Sequence, residues 1–570
     1  MIKNLKQKIK NILSGAGVDI NIKLETPPDP DMGDIAFPCF EYAQKHGEDP
    51  TEVAQHIAEL VDGKHGLGVF EDVQAVGPYV NFFLNLQDVA DDVIPTILSQ
   101  EEGYGFTNEG QKQRILMEYP SPNTHKRFHV GHLRNVCIGN ALKELYKRNG
   151  YEVSIVNYVN DFGVHVAKSL WGIINLYDGE IPEEDTQSWL GQVYSEASRK
   201  IKNNEKLKQE VEEIMKKITD KDPEIYDLFE KTRDISLEVF DDIFDELKVN
   251  HDKVYFESDL RDKGQEIVEE LLEEGIAETG EKGAIIVDLE EHDLNVALIR
   301  KSNGEGVYLT SDLALAEAKH EDYPAIDKSI HITGTEQDLH FKQLFKILEL
   351  YGADFDMEHV GYGLVHLPGG QMSSREGKVV LYEDLKQNIF DRLKEETESR
   401  HEDWDEKKIE EKARKMTLAV AKFELQKHES HKDVTFDIEQ ATNFEGYSAP
   451  YVLYVIARIS SLEDKAEVGI KSAESIDYSF YSQPEERELI MKVSKLSEVL
   501  TSSLENYNTS NITRYCFDLS KAFNNYYSEH SIINETNEEL TKARLALCLA
   551  VKQVLKNALD VLTIDTLEEM

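Results

Sequence analysis

Nowhere in its 570 residues does the chain run through roughly eighteen uninterrupted apolar positions, so no membrane-spanning helix is expected. The start, MIKNLKQKIKNILSG, is an amphipathic lysine-rich stretch without the compact apolar run of a signal peptide, and the protein is expected to stay in the cytoplasm. Cysteine is scarce. Cys39, Cys137, Cys516 and Cys548 are scattered, none in a CxxC pair, which speaks against a disulfide framework and against a thiolate zinc site. Basic charge is short as well: 63 Lys and Arg against 109 Asp and Glu give a formal net charge of -46. Such a balance repels nucleic acid over long range, so an RNA partner has to meet local basic patches. Internal repeats and low-complexity tracts are absent too.

What is present is length and pattern. Two to four domains are expected at this size. Residues 1–108 combine a basic amphipathic helix, the turn ETPPDPDMGD, a helical run near 37–62 and the apolar strand YVNFFLNL, a small α+β unit. After the polar linker EEGYGFTNEGQKQR, RILMEY reads as a short strand, GHLRNVCIGNALKELYKRNG as a helix stopped by Asn149-Gly150, and EVSIVNYV as a second strand. That βαβ order predicts a parallel sheet with ligands at the carboxyl ends of its strands. Residues 109–395 are assigned to this domain. An insertion over about 175–295 splits it, made of charge-dense helix such as NEKLKQEVEEIMKKITDK and the hairpin-like TGEKGAIIVDLEEHD, with strand signals returning near 305. From 396 to 570 long amphipathic helices dominate and nothing reads as a strand.

The stretch SPNTHKRFHVGHLRN sets His129 and His132 three apart around Gly131, between a loop and a helix. Such a pair can be structural, or can ligate a metal, although no third ligand accompanies it. At a helix start on a parallel sheet there is a further use. Gly131 leaves room for a flat ring against the backbone, free helix N–H groups face an anion, and two imidazoles can donate to phosphate oxygens as charge develops. Transfer at a nucleotide phosphate is the chemistry this predicts. A second element, LPGGQMSSREGKVV, is either a glycine-rich surface turn or a loop whose Ser373, Ser374, Arg375 and Lys378 meet phosphates.

HVGH resembles the HIGH motif of the class I aminoacyl-tRNA synthetases, and QMSSR stands where their KMSKS loop is expected. More narrowly, EYPSPNTHKRFHVGHLRN, YLTSDLALA, TGTEQDLHFKQLFKIL, MSSREGKVV, FEGYSAPYVLYVIARI and the terminal ARLALCLAVKQVLKNALDVLTIDTLEEM resemble the arginyl-tRNA synthetases, in that family's order over nearly the whole chain. The resemblance implies a multidomain α/β protein. A class I Rossmann-like catalytic domain with an inserted helical and hairpin segment would lie between an N-terminal α+β domain that binds the tRNA elbow and an all-α stem-contact and anticodon-binding domain. It also implies ligation of L-arginine to tRNA(Arg) through arginyl-adenylate, with Mg2+ carried on the substrate ATP. No protein metal ligand, structural zinc, DNA or membrane partner is implied, and a monomer is expected.

Carried over residue by residue, the resemblance gives catalysis to His129, His132, Lys126 and Arg375, and ATP binding to Gly131, Gly334, Glu336, His340, Met372, Ser373 and Ser374. Arginine binding falls to Glu118, Ser121, Asn123, Tyr308, Asp312 and Gln337, and tRNA binding to Tyr451, Tyr454, Arg458 and Asn81, with Phe82 beside it. A guanidinium does require carboxylates and planar acceptors to meet its fork of donors. Tyr308 and Asp312 share a face if a helix starts there, core packing and a helix-start acid being the alternative. Tyr451, Tyr454 and Arg458 are spaced to share one helix face, which is either core or a stacking platform for RNA bases. Three departures stand out. Glu336 replaces the Asp of many class I enzymes, His165 stands where Gln is expected, and Gln371 and Ser374 occupy the places of the KMSKS lysines. Lys126 is the substitute the resemblance favours, since related enzymes lacking the loop lysine carry one at this place. A cysteine-specific class I enzyme is opposed by the missing zinc ligands, and a non-catalytic RNA-binding relative by the presence of both histidines.

Overall fold

The computed structural model describes residues 2–27, 32–64, 70–184, 186–368, 380–466, 473–534 and 536–570. Its organising element is a five-stranded parallel sheet of Arg114–Glu118 (β1), Glu152–Val159 (β2), Lys253–Phe256 (β3), Lys328–Gly334 (β4) and Asp356–Tyr362 (β5), in the order β5-β4-β1-β2-β3. The central β1 is buried from residue 115 to 118, which is why it reads as an apolar run rather than an alternation. The chain winds outward from β1 to β2 and β3, then returns to lay β4 and β5 on the other side. Ligands of such sheets bind where the winding reverses, in the crevice beyond the carboxyl ends of the two flanking strands. Here those ends are Glu118 and Gly334.

Helix Val130–Arg148 (α1) joins β1 to β2. A Cβ on its Gly139 would lie 2.5 Å from the Tyr119 ring, so the helix rests directly on that ring. Asn140 accepts from the Tyr119 hydroxyl at 2.9 Å and donates to the Leu247 carbonyl at 2.9 Å. Helix Glu257–Glu273 (α2) follows β3, Tyr308–Asp322 (α3) precedes β4, and Asp338–Tyr351 (α4) joins β4 to β5. In the C-terminal region Glu406–Gln426 (α5) and Glu538–Val561 (α7) pack on the outer side of α1, and Ala449–Lys465 (α6) packs on both. As a result α1 is buried around most of its circumference.

Three expectations are corrected. The stretch 175–295 is not one insertion. Helices Thr186–Ile201, Glu205–Thr219 and Pro223–Leu247 precede β3, and the antiparallel strands Glu278–Thr279, Ile285–Asp288 and Val296–Arg300 follow α2. Between them β3 pairs with β2 as a sheet edge, and its four residues KVYF are too few for any period to show. The run near 37–62 is likewise not one helix: Phe37 and Pro38 end the strand Ile35–Pro38, and Gly47, at φ 70°, separates Phe40–His46 from Pro50–Lys64. Finally, the C-terminal region holds a two-residue strand, Val434–Thr435, which pairs with Val365–His366, and residue 396 lies inside the helix Tyr382–Arg400.

The N-terminal unit, whose strands Ile35–Pro38, Phe70–Val76 and Tyr79–Leu84 form an antiparallel sheet, docks on the C-terminal helices. Arg487 donates to Asp34 at 2.5 Å and to the Leu84 carbonyl at 2.9 Å, and Asn557 donates to the carbonyls of Glu101 and Tyr104. Among the described residues no helix is long and apolar enough to cross a membrane.

Candidate active site

The two histidines at the start of α1 cap the helix and each other. His129 Nδ1 accepts from the N–H of Gly131 at 3.1 Å and of His132 at 3.3 Å, while His132 Nδ1 accepts from the His129 N–H at 3.3 Å. The rings stack at 3.7 Å with 14° between their planes. The Val130 N–H donates to the Val380 carbonyl at 3.1 Å. The expectation of free helix N–H groups facing an anion is therefore corrected, because side chains and a neighbouring segment have taken them. Gly131 does make room for a flat ring, and that ring is His129's own, 3.0 Å from where a Cβ would stand.

What remains available is imidazole. With both Nδ1 atoms accepting, both ring protons sit on Nε2. Burial, then Lys126, holds His129 at about 4, and burial with His129 and Lys126 pushes His132 well below its ordinary range. Both rings are thus neutral Nε2–H donors at neutral pH. Lys126 lies half-buried, with its ammonium 5.9 Å from the centre of the Tyr194 ring. Burial and the neighbouring Lys168 lower its pKa, and among the described residues it has no hydrogen-bond or ion-pair partner. His165, where Gln was expected, donates from Nε2 to the Asn160 carbonyl at 3.3 Å; burial and Lys126 hold it at about 3. The same carbonyl accepts from the Thr124 N–H at 3.2 Å, so His165 fixes the loop that carries Lys126.

Glu118 arrives already paired. It ends β1 opposite His331 of β4, is buried against Lys319 of α3, and lies 3.5 Å from His331 Nδ1. Burial alone would raise its pKa; Lys319 and His331 outweigh burial and hold the carboxyl at about 2. A helix does start at Tyr308, whose side chain is 75% exposed, so core packing is not its role. Asp312, one turn on, accepts from His340 Nε2 at 2.5 Å, which brings an expected arginine contact and an expected ATP contact together. Ser121 donates its N–H to Asn157 at 3.1 Å, and its buried hydroxyl has no partner among the described residues. Asn123 is bridged to Asn160 across the crevice floor. Glu336 and Gln337 stand exposed just beyond Gly334.

Glu257 was missed. It opens α2 directly after β3 and is buried; burial, then Asp312 and Asp161, push its carboxyl up to about 8. Burial, then Asp312, Glu257 and Glu118, push the Tyr158 hydroxyl of β2 well above its ordinary range, so the three carboxyls are neighbours of that one side chain. The available signal is an acid set immediately after a strand, in KVYFES, but the four residues of β3 are too few to mark it as a strand. Gln371, Met372, Ser373, Ser374, Arg375 and Lys378 lie outside the described residues. The segment following them is tied to the histidines: the Tyr382 N–H donates to the Phe128 carbonyl at 3.1 Å, and Leu381 bridges His129.

On α6 the Arg458 guanidinium lies 4.7 Å from the ring centres of both Tyr454 and Tyr527, and donates to Asn524 at 2.7 Å. Tyr454 is 39% and Tyr527 37% exposed, which makes a surface platform of the predicted pair plus one tyrosine that was missed. Tyr451 turns instead toward Phe517, 5.5 Å between ring centres. Tyr454 also borders a small cleft lined by Arg400, His401, Trp404, Phe444 and Met570, where His401 stacks on Trp404 at 3.8 Å. In the N-terminal unit Asn81 is buried with its Oδ1 unpartnered among the described residues, and Phe82 is wholly core, which corrects its expected place facing RNA. Phe40, half exposed and edge-on to Tyr79 at 5.6 Å, is the aromatic that does reach the surface there.

Three family profiles match the chain: "tRNA synthetases class I (R), catalytic domain" over residues 93–438, "DALR anticodon binding domain" over 452–570, and "Arginyl tRNA synthetase N terminal domain" over 2–84. The chain is similar to the arginine–tRNA ligase of Clostridium acetobutylicum, 35% identical over 549 residues and 96% of each chain. It is similar to that of Clostridioides difficile, 35% identical over 568 residues, 99% of this chain and 98% of the other. Its fold is similar to that of the Thermus thermophilus arginyl-tRNA synthetase, with a TM-score of 0.79, 23% identity and 100% of both chains covered, and to that of the Plasmodium falciparum arginyl-tRNA synthetase, 0.79 at 20% identity with 99% of both covered.

Proposed function

The chain belongs to the arginyl-tRNA synthetases, and from that premise we propose how its residues divide the work. The enzyme ligates L-arginine to tRNA(Arg) in two steps. The arginine carboxylate attacks the α-phosphorus of ATP, giving arginyl-adenylate and pyrophosphate, and the terminal adenosine of the tRNA then takes the arginyl group as AMP leaves. No covalent enzyme intermediate is needed, so the protein supplies position and electrostatics.

His129 and His132 donate from Nε2 to the phosphate oxygens on which charge develops. The observation that carries this assignment is the mutual cap, which locks both rings in one tautomer at the reversal point of the sheet. Lys126 brings an uncompensated cation to the same phosphates. Ser121, Asn123 and Gln337 meet the α-amino and carboxylate groups of arginine, and Tyr308 covers its side chain. Asp312 and Glu257 take the guanidinium, with Glu118, neutralised by Lys319, as the floor beneath them. Gly334, Glu336 and His340 hold the nucleotide. The Tyr454–Arg458–Tyr527 platform takes an unstacked tRNA base, Tyr451 of the same helix packs on Phe517 beside it, and the N-terminal unit that carries Asn81 meets the tRNA elbow.

Among the described residues no group of three His, Cys, Asp or Glu side chains is placed to hold a metal, and no step is routed through one. Mg2+ is proposed to enter on the ATP phosphates. A cytoplasmic monomer with neither DNA nor membrane partner completes the proposal.

Pyrophosphate exchange across the twenty amino acids, with and without tRNA, tests it. Exchange is expected with arginine alone and only when tRNA(Arg) is present, because tRNA binding orders a site that arginine and ATP meet incompetent. Robust exchange without tRNA refutes the second part, and exchange with a different amino acid the first.

Glu257 gives a pH signature. Its carboxyl, raised to about 8, is largely protonated at neutral pH, and the arginine cation favours the ionised form. The arginine KM should therefore fall by up to about tenfold as pH rises from about 7 to about 9. Glu257→Gln should remove this slope relative to wild type. An identical slope in the variant would take Glu257 out of the pocket.

A further inference from the structure

Two residues past His132, α1 carries a guanidinium that no substrate group in the proposed site requires. Arg134 is wholly buried. Its Nη1 donates to the carbonyls of Gly363 at 2.5 Å and Leu364 at 3.5 Å, and its Nη2 to those of Ser430 at 3.0 Å and Glu429 at 3.3 Å. Burial lowers its pKa to about 10, so the group stays charged, yet among the described residues no carboxylate pairs with it. A buried charge held only by main-chain carbonyls is a demanding arrangement, since apolar groups of similar volume usually pack such a place at no loss of stability. What the guanidinium does that they cannot is span two chain segments with fixed geometry.

Those segments come from different parts of the molecule. Gly363 and Leu364 directly follow β5. Glu429 and Ser430 lie between α5 and α6, the helix that carries Tyr454 and Arg458. They are zipped to one another: the Gly363 N–H donates to the Ser430 carbonyl at 2.9 Å, the Leu364 N–H to Asp433 at 2.8 Å, the Val434 N–H to the Leu364 carbonyl at 2.8 Å and the Phe436 N–H to the His366 carbonyl at 2.7 Å. The approach is so close that a Cβ on Gly363 would overlap the carbonyl carbon of Lys432. One rigid helix thus bears the His129–His132 donors at its tip and, half a turn on, a clamp on the connection to the tRNA-facing helix.

We propose that Arg134 is a positioning residue that couples the placement of α6 on tRNA to the alignment of His129 and His132, so that bound tRNA reaches the chemistry through the 429–436 segment. The coupling rests on the assignment of α6 as a tRNA-binding helix. A shift of α6 moves the Glu429 and Ser430 carbonyls, and the guanidinium passes that shift to the turn of α1 next to His132. Asn135, which donates to the Ile332 carbonyl of β4 at 2.7 Å, is the fulcrum on the sheet side.

The test uses the full-length enzyme with Arg134→Lys, which keeps the charge but cannot bridge both segments, and Gly363→Ala, which wedges them apart with Arg134 untouched. Melting temperature, tRNA Kd, arginine KM and the exchange rate at saturating tRNA are measured, rates being normalised to folded enzyme. Both variants should lose about tenfold or more in the tRNA-saturated rate while Kd and KM stay within about twofold. The double variant should lose little more than either single one, the non-additivity of two changes in one joint. Rates within about twofold of wild type in whichever variants fold, or single losses that simply add, would overturn the proposal. Failure of the α6 assignment reads differently: Tyr454→Ala would then leave the tRNA Kd unchanged, whatever Arg134→Lys does to the rate.

Discussion

His132→Ala should slow arginyl-adenylate formation roughly 100- to 1000-fold, the usual loss for one donor aimed at developing charge, with the arginine KM little changed. Alanine removes two things at once. It deletes the Nε2–H that faces the phosphates, and it deletes the Nδ1 that accepts from the His129 N–H at 3.3 Å. Losing a cap costs about 1 kcal/mol of stability, so a lower melting temperature alone would not identify the catalytic part. His132→Asn separates the two, because its side-chain oxygen can still accept from the His129 N–H while no imidazole donor remains. Its melting temperature should stay near that of wild type and its rate should stay low. The pH profile adds a sign. Since His132 is held neutral well below its ordinary 6.5, donation does not depend on an imidazolium, and the wild-type rate should not climb as pH falls through 6.5. A climb there, or a His132→Ala rate near wild type, would remove His132 from the phosphate.

The donor tautomer illustrates what the sequence carries and what it withholds. HVGH, preceded by a short apolar strand and followed by a helix with a clear Asn149-Gly150 stop, placed both histidines at the mouth of a parallel sheet, the order of strand, loop, helix and strand carrying the reading where period alone does not. Nothing in the spacing shows that the imidazoles cap their own helix, since that depends on two side-chain rotamers and on Gly131 having no Cβ. Glu118, Asp312 and His340 were legible as residue types suited to a guanidinium and a nucleotide. Their partners were not, because Lys319 and His331 reach Glu118 from a helix and a strand some two hundred positions downstream in the chain. Glu257 failed for a local reason: KVYF is an edge strand of four residues, and its identity comes from pairing with β2 rather than from pattern. Arg134 failed for the opposite reason. It sits at an ordinary helical position, and its importance lies entirely in four carbonyls contributed by two other segments.

Lys126→Ala should cut the activation rate by about tenfold or more, well beyond its effect on ATP affinity. Held neutral, the histidines offer dipoles to a transition state that develops net negative charge, and the loop places where this class carries lysines hold Gln371 and Ser374. A cation must come from elsewhere. Lys126 has what such a role demands: it lies three residues before His129, it is partly withdrawn from water, and it has no carboxylate partner among the described residues. Its lowered pKa, caused by burial and by Lys168, means that an arriving anion raises it again, which is the linkage expected of a group waiting for phosphate. Lys126→Arg should therefore retain more activity than Lys126→Ala, and Ser374→Lys introduced beside Lys126→Ala should recover part of the loss by returning a cation to the loop. An unchanged rate in Lys126→Ala would leave Arg375 as the cation that meets the phosphates. A loss that Ser374→Lys fails to relieve would assign Lys126 a geometric task on the loop between Asn123 and His129, in which charge is incidental.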